Sequence, residues 1–197
     1  MENPKTKSKK KWLYIAVGAV LICGGLLAII FVFLKDEAPV YFDYVNDEYG
    51  VSIQYPDYYV LSSLTEDQIA GGIFFRIERQ EPAGLFSLRK EEGVGKLRVL
   101  GGSVMDQLIE SVNKKYPARF PDYQKELFEE TVIGNEQAAL FEFTYTGTDQ
   151  ETRMKQRFII IVKESSANYL SVQTQEDSFD ELDAEFTQMI DSFRFIN

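Results

Sequence analysis

Histidine is absent from this sequence, and cysteine occurs only once. Without histidine the chain lacks the commonest general base and the commonest metal ligand, which excludes Ser-His-Asp catalysis, Cys-His catalysis and histidine-bound zinc. A single cysteine cannot form an internal disulfide bond. The rest of the composition is typical of a folded protein, because 14% of the 197 residues are aromatic and 45% are hydrophobic. At this length we expect one ordinary domain and a smaller additional segment.

One long uncharged stretch divides the chain. Trp12–Leu34 contains 23 residues without a charge or a proline. A helix of that length spans about 34 Å, enough to cross the hydrocarbon core of a bilayer. Five lysines precede the stretch within residues 1–11, whereas Lys35 alone follows it before the first acidic residues. Because positive charge is retained in the cytoplasm, we predict a single-pass plasma-membrane protein with a cytoplasmic N-terminus and a C-terminal domain outside.

Three other interpretations of this stretch are less favoured, and the first, a soluble core helix, would not need 23 uncharged residues. A secretory signal peptide has a shorter apolar region followed by small residues, but this stretch ends in the large side chains of residues 31–34. A lipoprotein signal needs small residues before its cysteine, and Cys23 instead follows Leu21 and Ile22. The stretch is therefore predicted to be an uncleaved anchor in contact with the lipid bilayer.

The predicted organisation has four parts: a basic cytoplasmic segment at 1–11, a transmembrane helix at 12–34, a connector at 35–47 and an extracytoplasmic domain at 48–197. Residues 1–35 hold six of the 21 basic residues and one of the 31 acidic ones, so the remainder carries 15 basic and 30 acidic residues, a net charge of −15. Such a domain is repelled by nucleic acid and by anionic lipid, and we expect no nucleic-acid partner. The charge is typical of a solvated exported domain, or else it attracts cations or a basic partner.

Alternation of apolar and polar residues predicts several β-strands in the exported part. The alternating segments lie at 51–55, 73–77, 85–89, 139–145, 154–162 and 170–174. Turn-like stretches at 147–150 and 164–167 separate the last three segments. Because short connections join antiparallel neighbours, residues 137–175 are predicted to form a three-stranded meander.

Two amphipathic patterns predict helices. Ser103 and Asp106 resemble a capping box, which predicts a helix that runs to about Lys115 and ends before Pro117. A second helix is predicted from near Ser178, with apolar residues at helical spacing: Leu182, Phe186, Met189, Ile190 and Phe193. The predicted fold class is α+β, an antiparallel β-sheet with helices packed on it, preceded by one transmembrane helix.

Three segments resemble the PsbP-like family. Tyr49–Pro56 (YGVSIQYP) looks like the opening strand of that family, the segment 133–143 is similar to its central strand, and Met189–Phe195 (MIDSFRF) resembles its closing helix and strand. The resemblance covers about residues 40–197. It implies a PsbP/Mog-like sheet between helices and non-enzymatic work. The membrane anchor departs from the lumenal plant members, so no photosynthetic role is implied.

The motifs of catalysis and cofactor binding are incomplete in this sequence. The segment 93–96 (GVGK) lacks the earlier glycine of a P-loop, where Lys90 stands, and the following Ser or Thr, where Leu97 stands. The acidic residues near 177–183 are spaced by three, unlike the ligands of an EF-hand loop. We expect no metal and no cofactor. Paired carboxylates, as in a hydrolase of cell-wall glycans, are an enzymatic alternative that needs no histidine.

Aromatic residues are concentrated at the start of the exported part: Tyr41, Phe42, Tyr44, Tyr49, Tyr55, Tyr58 and Tyr59. Packing of the first strands is the favoured explanation. The alternative is contact with an envelope or membrane protein, for which Tyr41, Tyr44, Tyr58 and Tyr59 are the candidate residues. The sequence as a whole favours a non-catalytic binding or accessory protein of the cell envelope, with the glycan hydrolase and a ligand-sensing ectodomain as alternatives.

Overall fold

The computed structural model describes residues 39–96 and 102–196. Its folded unit begins at Val40, so the first strand lies inside the predicted connector at 35–47. Within the described residues the helices and strands follow in this order: β1 (Tyr41–Asn46), β2 (Val51–Pro56), β3 (Val60–Leu61), α1 (Glu66–Ala70), β4 (Ile73–Arg79), β5 (Gly84–Glu92), α2 (Val104–Arg119), β6 (Gln124–Ile133), β7 (Glu136–Thr146), β8 (Arg153–Lys163), β9 (Ser166–Gln175), α3 (Phe179–Ser192) and β10 (Arg194–Phe195).

The membrane-spanning prediction concerns a part of the chain that the structure does not describe. Residues 1–11, the segment 12–34 and the connector up to residue 38 all lie outside the described ranges. Within those ranges, no helix has the length and apolar character needed to cross a bilayer. The anchor therefore stays a prediction from the sequence.

The strands form two antiparallel sheets. A small sheet has the order β1-β2-β10, and a large sheet has the order β3-β4-β5-β9-β8-β7-β6. The predicted meander over 137–175 is confirmed, since β8 pairs with β7 on one side and with β9 on the other. The turn between β8 and β9 is tight, with Lys163 opposite Ser166.

One face of the large sheet packs against the small sheet and α3. Buried residues of the large sheet, among them Phe75, Phe86 and Leu170, contact Val51 and Ile53 of β2 in this core. The buried residues of α3 are Phe179, Leu182, Phe186, Met189 and Ile190, which confirms the predicted apolar stripe. Burying one side chain of this size contributes about 1.5–3 kcal/mol, so α3 is a main source of the stability of this core.

The opposite face of the large sheet packs against α2. This helix places Val104, Leu108 and Val112, spaced by four, against a set of buried residues of β7, β8 and β9. The sheet is thus covered by helices on both faces, and the predicted α+β class is confirmed.

The start of α2 is as predicted. Ser103 Oγ accepts the backbone N–H of Asp106 at 3.0 Å, and the Asp106 carboxylate accepts the backbone N–H of Ser103 at 3.4 Å. This reciprocal pair is a capping box.

The predicted end of α2 before Pro117 is wrong, because the helix continues to Arg119 with Pro117 inside it. Tyr116 and Phe120 secure this last turn, with ring centroids 5.4 Å and 5.5 Å from that of the buried Phe143. Burial of the two rings offsets the hydrogen bond that a proline cannot donate.

The strand β6 was not predicted. It lies at one edge of the large sheet and pairs with β7, and residues 124–130 are all exposed. A strand without a buried face has no reason to alternate apolar and polar residues, so the pattern that revealed the other strands is missing here.

Candidate functional site

Three of the four candidate tyrosines meet beside the middle of α3, near Glu185 and Gln188. Tyr41 opens β1, and Tyr58 and Tyr59 follow Pro56, where β2 ends. The chain is fixed at this point because the Asp57 N–H donates to the Val40 carbonyl at 2.8 Å. The start of β1 and the turn after β2 are thereby held side by side, and their tyrosines reach the same helix.

The Glu185 carboxylate of α3 is the centre of this group. Its Oε2 accepts a hydrogen bond from the Tyr58 hydroxyl and another from Arg79 Nη1, the latter at 2.7 Å. The Arg79 guanidinium also lies over the Tyr58 ring, 4.7 Å from its centroid. One turn further along α3, Gln188 Oε1 accepts the Tyr41 hydroxyl at 2.7 Å. These contacts join the turn after β2, the end of β4 and α3.

Tyr59 lies beneath this group and is 3% exposed. Its hydroxyl and Glu185 Oε1 are both buried without a normal hydrogen-bond partner. Burial first, and the neighbouring Glu185 carboxylate second, raise the pKa of the Tyr59 phenol. The same two causes raise the pKa of Tyr58. Both phenols are therefore neutral at physiological pH, so neither is a phenolate base or nucleophile, and the Tyr58 hydroxyl donates a hydrogen bond to Glu185.

Tyr44 belongs to a different environment. Its ring centroid lies 4.1 Å from that of the buried Phe75, and its hydroxyl accepts a hydrogen bond from Asn46 Nδ2 at 2.8 Å. The structure therefore brings Tyr41, Tyr58 and Tyr59 together and places Tyr44 against the core.

Apolar side chains lie exposed beside the tyrosines. Val40 is 60% exposed, Tyr58 is 42% exposed and Val60 is 62% exposed. We call Val40, Tyr41, Tyr58 and Val60 the tyrosine surface. Apolar residues and amphipathic phenols in one place are typical of protein-recognition surfaces.

Sequence reasoning missed Arg79, Glu185 and Gln188 as members of this site. Arg79 and Glu185 are 106 residues apart in the chain, and Tyr41 and Gln188 are 147 apart. In the sequence, nothing distinguishes these three residues from the other charged and amide residues of the chain. The tertiary fold alone brings them to the tyrosines.

The domain also has a cleft of about 520 Å³, which is lined by residues of the β4–β5 hairpin, the end of β9 and the β7–β8 connection. Its charged side chains have partners: Arg76 pairs with Glu78 at 2.8 Å, and Arg79 pairs with Glu185. Hydrogen bonds from the Thr152 hydroxyl, and then from backbone N–H groups, lower the pKa of Asp149 in this cleft to about 2.

Asp149 and Glu78 are carboxylates of this cleft and can be compared with the pair that a glycosidase uses. A glycosidase needs one carboxyl group whose pKa is raised, so that it can donate a proton. In this cleft Asp149 is shifted in the opposite direction, and Glu78 is held by an arginine. Among residues 39–96 and 102–196, no group of three metal-ligating side chains converges.

Comparison with known proteins identifies both a family and a fold. Residues 44–195 match the family described as "Serine/threonine kinase C-terminal domain". No curated protein sequence matches the chain.

Three solved structures share the fold at low sequence identity. The cyanobacterial PsbP (CyanoP) of Synechocystis has a TM-score of 0.57 at 14% identity, over 82% of this chain and 95% of that one. LpqN, involved in cell envelope biogenesis of Mycobacterium tuberculosis, has a TM-score of 0.53 at 11% identity, over 84% and 95%. The Ran-binding protein Mog1p of Saccharomyces cerevisiae has a TM-score of 0.51 at 6% identity, over 81% and 97%.

These likenesses confirm the resemblance suggested by the sequence at the level of the fold, which is PsbP/Mog-like. At such low identity they carry no function to this chain. The family match covers about three quarters of the sequence, from the middle of β1 to the end of β10. The chain therefore belongs to the family of serine/threonine kinase C-terminal domains, and its folded part is a PsbP/Mog-like α+β domain.

Proposed function

We propose that this chain is a single-pass plasma-membrane protein whose folded domain lies outside the cell and binds a protein partner without catalysing a reaction. The observation that carries the proposal is the tyrosine surface. It combines exposed apolar side chains with neutral phenols held in fixed positions by Arg79, Glu185 and Gln188. Rigid aromatic side chains contribute contact area at a low cost in conformational entropy, which suits them to recognition.

The position of this surface in the chain supports a partner in the membrane or the envelope. The predicted span ends at Leu34, and the tyrosine surface begins at Val40. Six residues reach at most about 20 Å even when fully extended. Only a short stretch of chain therefore separates the predicted anchor from the tyrosine surface, which favours a partner in the membrane or the envelope.

The named neighbours also support binding rather than catalysis. Mog1p is a Ran-binding protein, and LpqN is involved in cell envelope biogenesis. For this chain the non-catalytic assignment rests on the cleft, whose carboxylates are either paired with an arginine or have a lowered pKa. Turnover of cell-wall glycan by the full chain, abolished by Glu78→Gln, would contradict the assignment.

A second candidate function is ligand sensing. The matching family is described by its place in serine/threonine kinases, which are signalling enzymes. The cleft of about 520 Å³ is large enough for a small molecule. In this alternative the domain would receive a ligand outside the cell, and a change in affinity on substituting Gln173, which lines the cleft, would identify the site.

Cysteine labelling tests the proposed topology. In a Cys23→Ala background, Ser63→Cys places a thiol at an exposed position of the domain, and Ser8→Cys places one in the basic N-terminal segment. A membrane-impermeant maleimide should label residue 63 on intact cells, and residue 8 only after the cells are permeabilised. The reverse pattern would show that the domain faces the cytoplasm.

Site-specific photo-crosslinking tests the tyrosine surface. We would place benzoylphenylalanine at Tyr58 of the full-length protein in its native membrane, with the exposed Glu110 of α2 as the matched control position. The expected result is one discrete crosslinked partner from position 58, reduced by Tyr41→Ala, and none from position 110. Equal crosslinking from both positions, or none from position 58, would overturn this binding surface.

A further inference from the structure

The two edges of the large sheet are protected to very different degrees. The strand β3 at one edge is two residues long, whereas β6 at the other edge is ten residues long. An exposed edge strand offers a row of unpaired N–H and C=O groups to any other extended chain. Natural proteins therefore shorten such strands or protect them with lysine, proline or bulges. The β3 edge follows this rule by its length.

Most of β6 lacks these protective features. Its one irregularity lies between Lys125 and Leu127, and the remaining residues, Leu-Phe-Glu-Glu-Thr-Val-Ile, include neither lysine nor proline. In the described part of the chain, β7 is the strand that pairs with β6. Apolar side chains lie along the open edge, with Leu127 41%, Phe128 38% and Val132 66% exposed. Residues 127–133 thus form a regular strand with exposed apolar side chains, and within the described residues its outer backbone edge pairs with no other strand.

The charge of this edge indicates what kind of chain it would bind. Glu129 and Glu130 are both exposed, and no ion pair joins either of them to another described residue. Glu126, in contrast, is neutralised by Lys155 at 2.8 Å. Because successive residues of a strand point to opposite faces, the two free carboxylates lie on opposite faces of β6. A chain pairing with β6 would meet one unneutralised carboxylate on each face.

We propose that the β6 edge binds an extended basic segment of a partner protein, which adds to the large sheet as a further antiparallel strand. Two adjacent lysines or arginines of the partner would lie opposite Glu129 and Glu130. Apolar partner residues on either side would cover Phe128 and Val132, while backbone hydrogen bonds supply affinity. This site is separate from the tyrosine surface, and it does not rest on the proposed anchor.

A second copy of this chain is the less favoured occupant. Residues 36–197 carry 15 basic and 30 acidic residues, so two copies repel each other. The negative charge of the domain that repels a second copy attracts a basic segment.

A peptide-binding measurement tests the proposal. The probe is a fluorescein-labelled peptide with the core Val-Thr-Lys-Lys-Val-Val, added to the full-length protein in nanodiscs of uncharged lipid. Control peptides replace the two lysines by glutamates, or introduce prolines on both sides of the lysines. We expect saturable binding of the first peptide, seen by anisotropy, and no binding of either control peptide.

Matched protein variants separate edge binding from general attraction. Glu129→Lys with Glu130→Lys should weaken binding about tenfold or more, because two ion pairs are replaced by two repulsions. Glu66→Lys with Asp67→Lys makes the same change in charge beside β3, at the opposite edge, and should weaken binding less than about twofold. Unchanged circular dichroism would show that both variants fold.

Hydrogen exchange locates the bound peptide. The expected result is added protection of backbone N–H groups within residues 124–133. Equal loss of binding in the two variants, binding of the proline-containing peptide, or protection elsewhere without protection of β6 would overturn the proposal. Concentration-dependent dimerisation that protects β6 without peptide would also overturn it, in favour of a second copy.

Discussion

At the scale of single residues, buried phenols contribute to the pH dependence of stability. Burial raises the pKa of Tyr116 and of Tyr145 to about 12. In the unfolded chain a tyrosine has a pKa of about 10. Above pH 10 the unfolded chain therefore loses protons that the native protein keeps, and the free energy of unfolding falls as the pH rises towards 12.

The first prediction concerns Tyr116→Phe. This change keeps the ring among Phe120, Phe143 and Phe158 but removes the ionisable hydroxyl. Between pH 10 and 12 we expect the free energy of unfolding to fall less steeply for the variant than for wild type. The difference in slope should be up to about 1.4 kcal/mol per pH unit, the contribution of one titrating group. Urea unfolding at pH 8, 10 and 11 measures this, with pH 8 as the reference. A parallel loss in both proteins would contradict the prediction.

Arg157 shows how a single cation can connect several elements. Its Nε donates to Glu142 Oε1 of β7 at 2.6 Å, and its Nη2 donates to Asp183 of α3 at 2.6 Å. The side chains of Arg157 and Glu142 are 13% and 11% exposed. Without the arginine, the nearest cation to Glu142 would be Lys155, at 3.7 Å.

The second prediction follows from this burial. Arg157→Met should lower the free energy of unfolding by about 3 kcal/mol, because it leaves the Glu142 charge nearly buried and poorly paired. Adding Glu142→Leu should recover most of that loss, since the uncompensated charge is then removed. Urea unfolding of wild type, single variant and double variant tests both parts. Equal free energies of unfolding for the single and double variants would show that the uncompensated Glu142 charge does not cause the loss of stability.

At the scale of elements, the last turn of α2 is stabilised by side-chain packing more than by backbone hydrogen bonds. Pro117 cannot donate a hydrogen bond within the helix, yet the last turn forms because Tyr116 and Phe120 pack against Phe143. The helix also begins at a complete capping box. Local sequence therefore determines where α2 starts, and tertiary contacts determine where it ends.

The third prediction is that Pro117→Ala stabilises the domain. Alanine restores the missing N–H donor and relieves the contact of the proline ring with the preceding turn. We expect a gain of about 1–2 kcal/mol in the free energy of unfolding, because the greater freedom of the unfolded alanine variant offsets part of the helix gain. Urea unfolding measures it, with Ala118→Gly as a control that should destabilise. A loss of stability in the alanine variant would show that the last turn needs the proline.

At the scale of the whole molecule, the excess of acidic residues opposes compactness. Residues 36–197 hold twice as many acidic as basic residues, 30 against 15. Ion pairs that join elements, such as Arg157 with Asp183 and Lys155 with Glu126, neutralise individual carboxylates but leave the net charge of −15 unchanged. The remaining charges repel one another across the folded domain.

The fourth prediction is that salt stabilises the protein. Raising NaCl from about 0.05 M to 0.5 M shortens the screening length to a few ångströms and should raise the unfolding midpoint by a few degrees. Thermal unfolding followed by circular dichroism measures the shift, with sorbitol of equal osmolality as the control. A lower midpoint in salt would mean that ion pairs outweigh the general repulsion.

The sequence alone predicted the elements that carry a regular pattern of apolar and polar residue types along their length. Alternating residue types predicted the strands β7, β8 and β9, although both faces of these strands are largely buried, and their short turns make them neighbours. The stripe on α3 and the capping box of α2 are likewise local patterns with direct physical causes. The PsbP/Mog-like resemblance rests on the same patterns, which explains why the fold was accessible from the sequence.

Tertiary structure decided everything that depends on residues far apart in the chain. The tyrosines of one aromatic segment have different environments in the folded chain. Tyr59 is buried near Glu185, whereas Tyr44 packs against Phe75. Tertiary structure also made β6 a strand through pairing with β7, without a buried face to mark it in the sequence. Alternation and helical spacing report local periodicity, whereas a contact across 106 residues, such as Arg79 with Glu185, depends on how the elements pack.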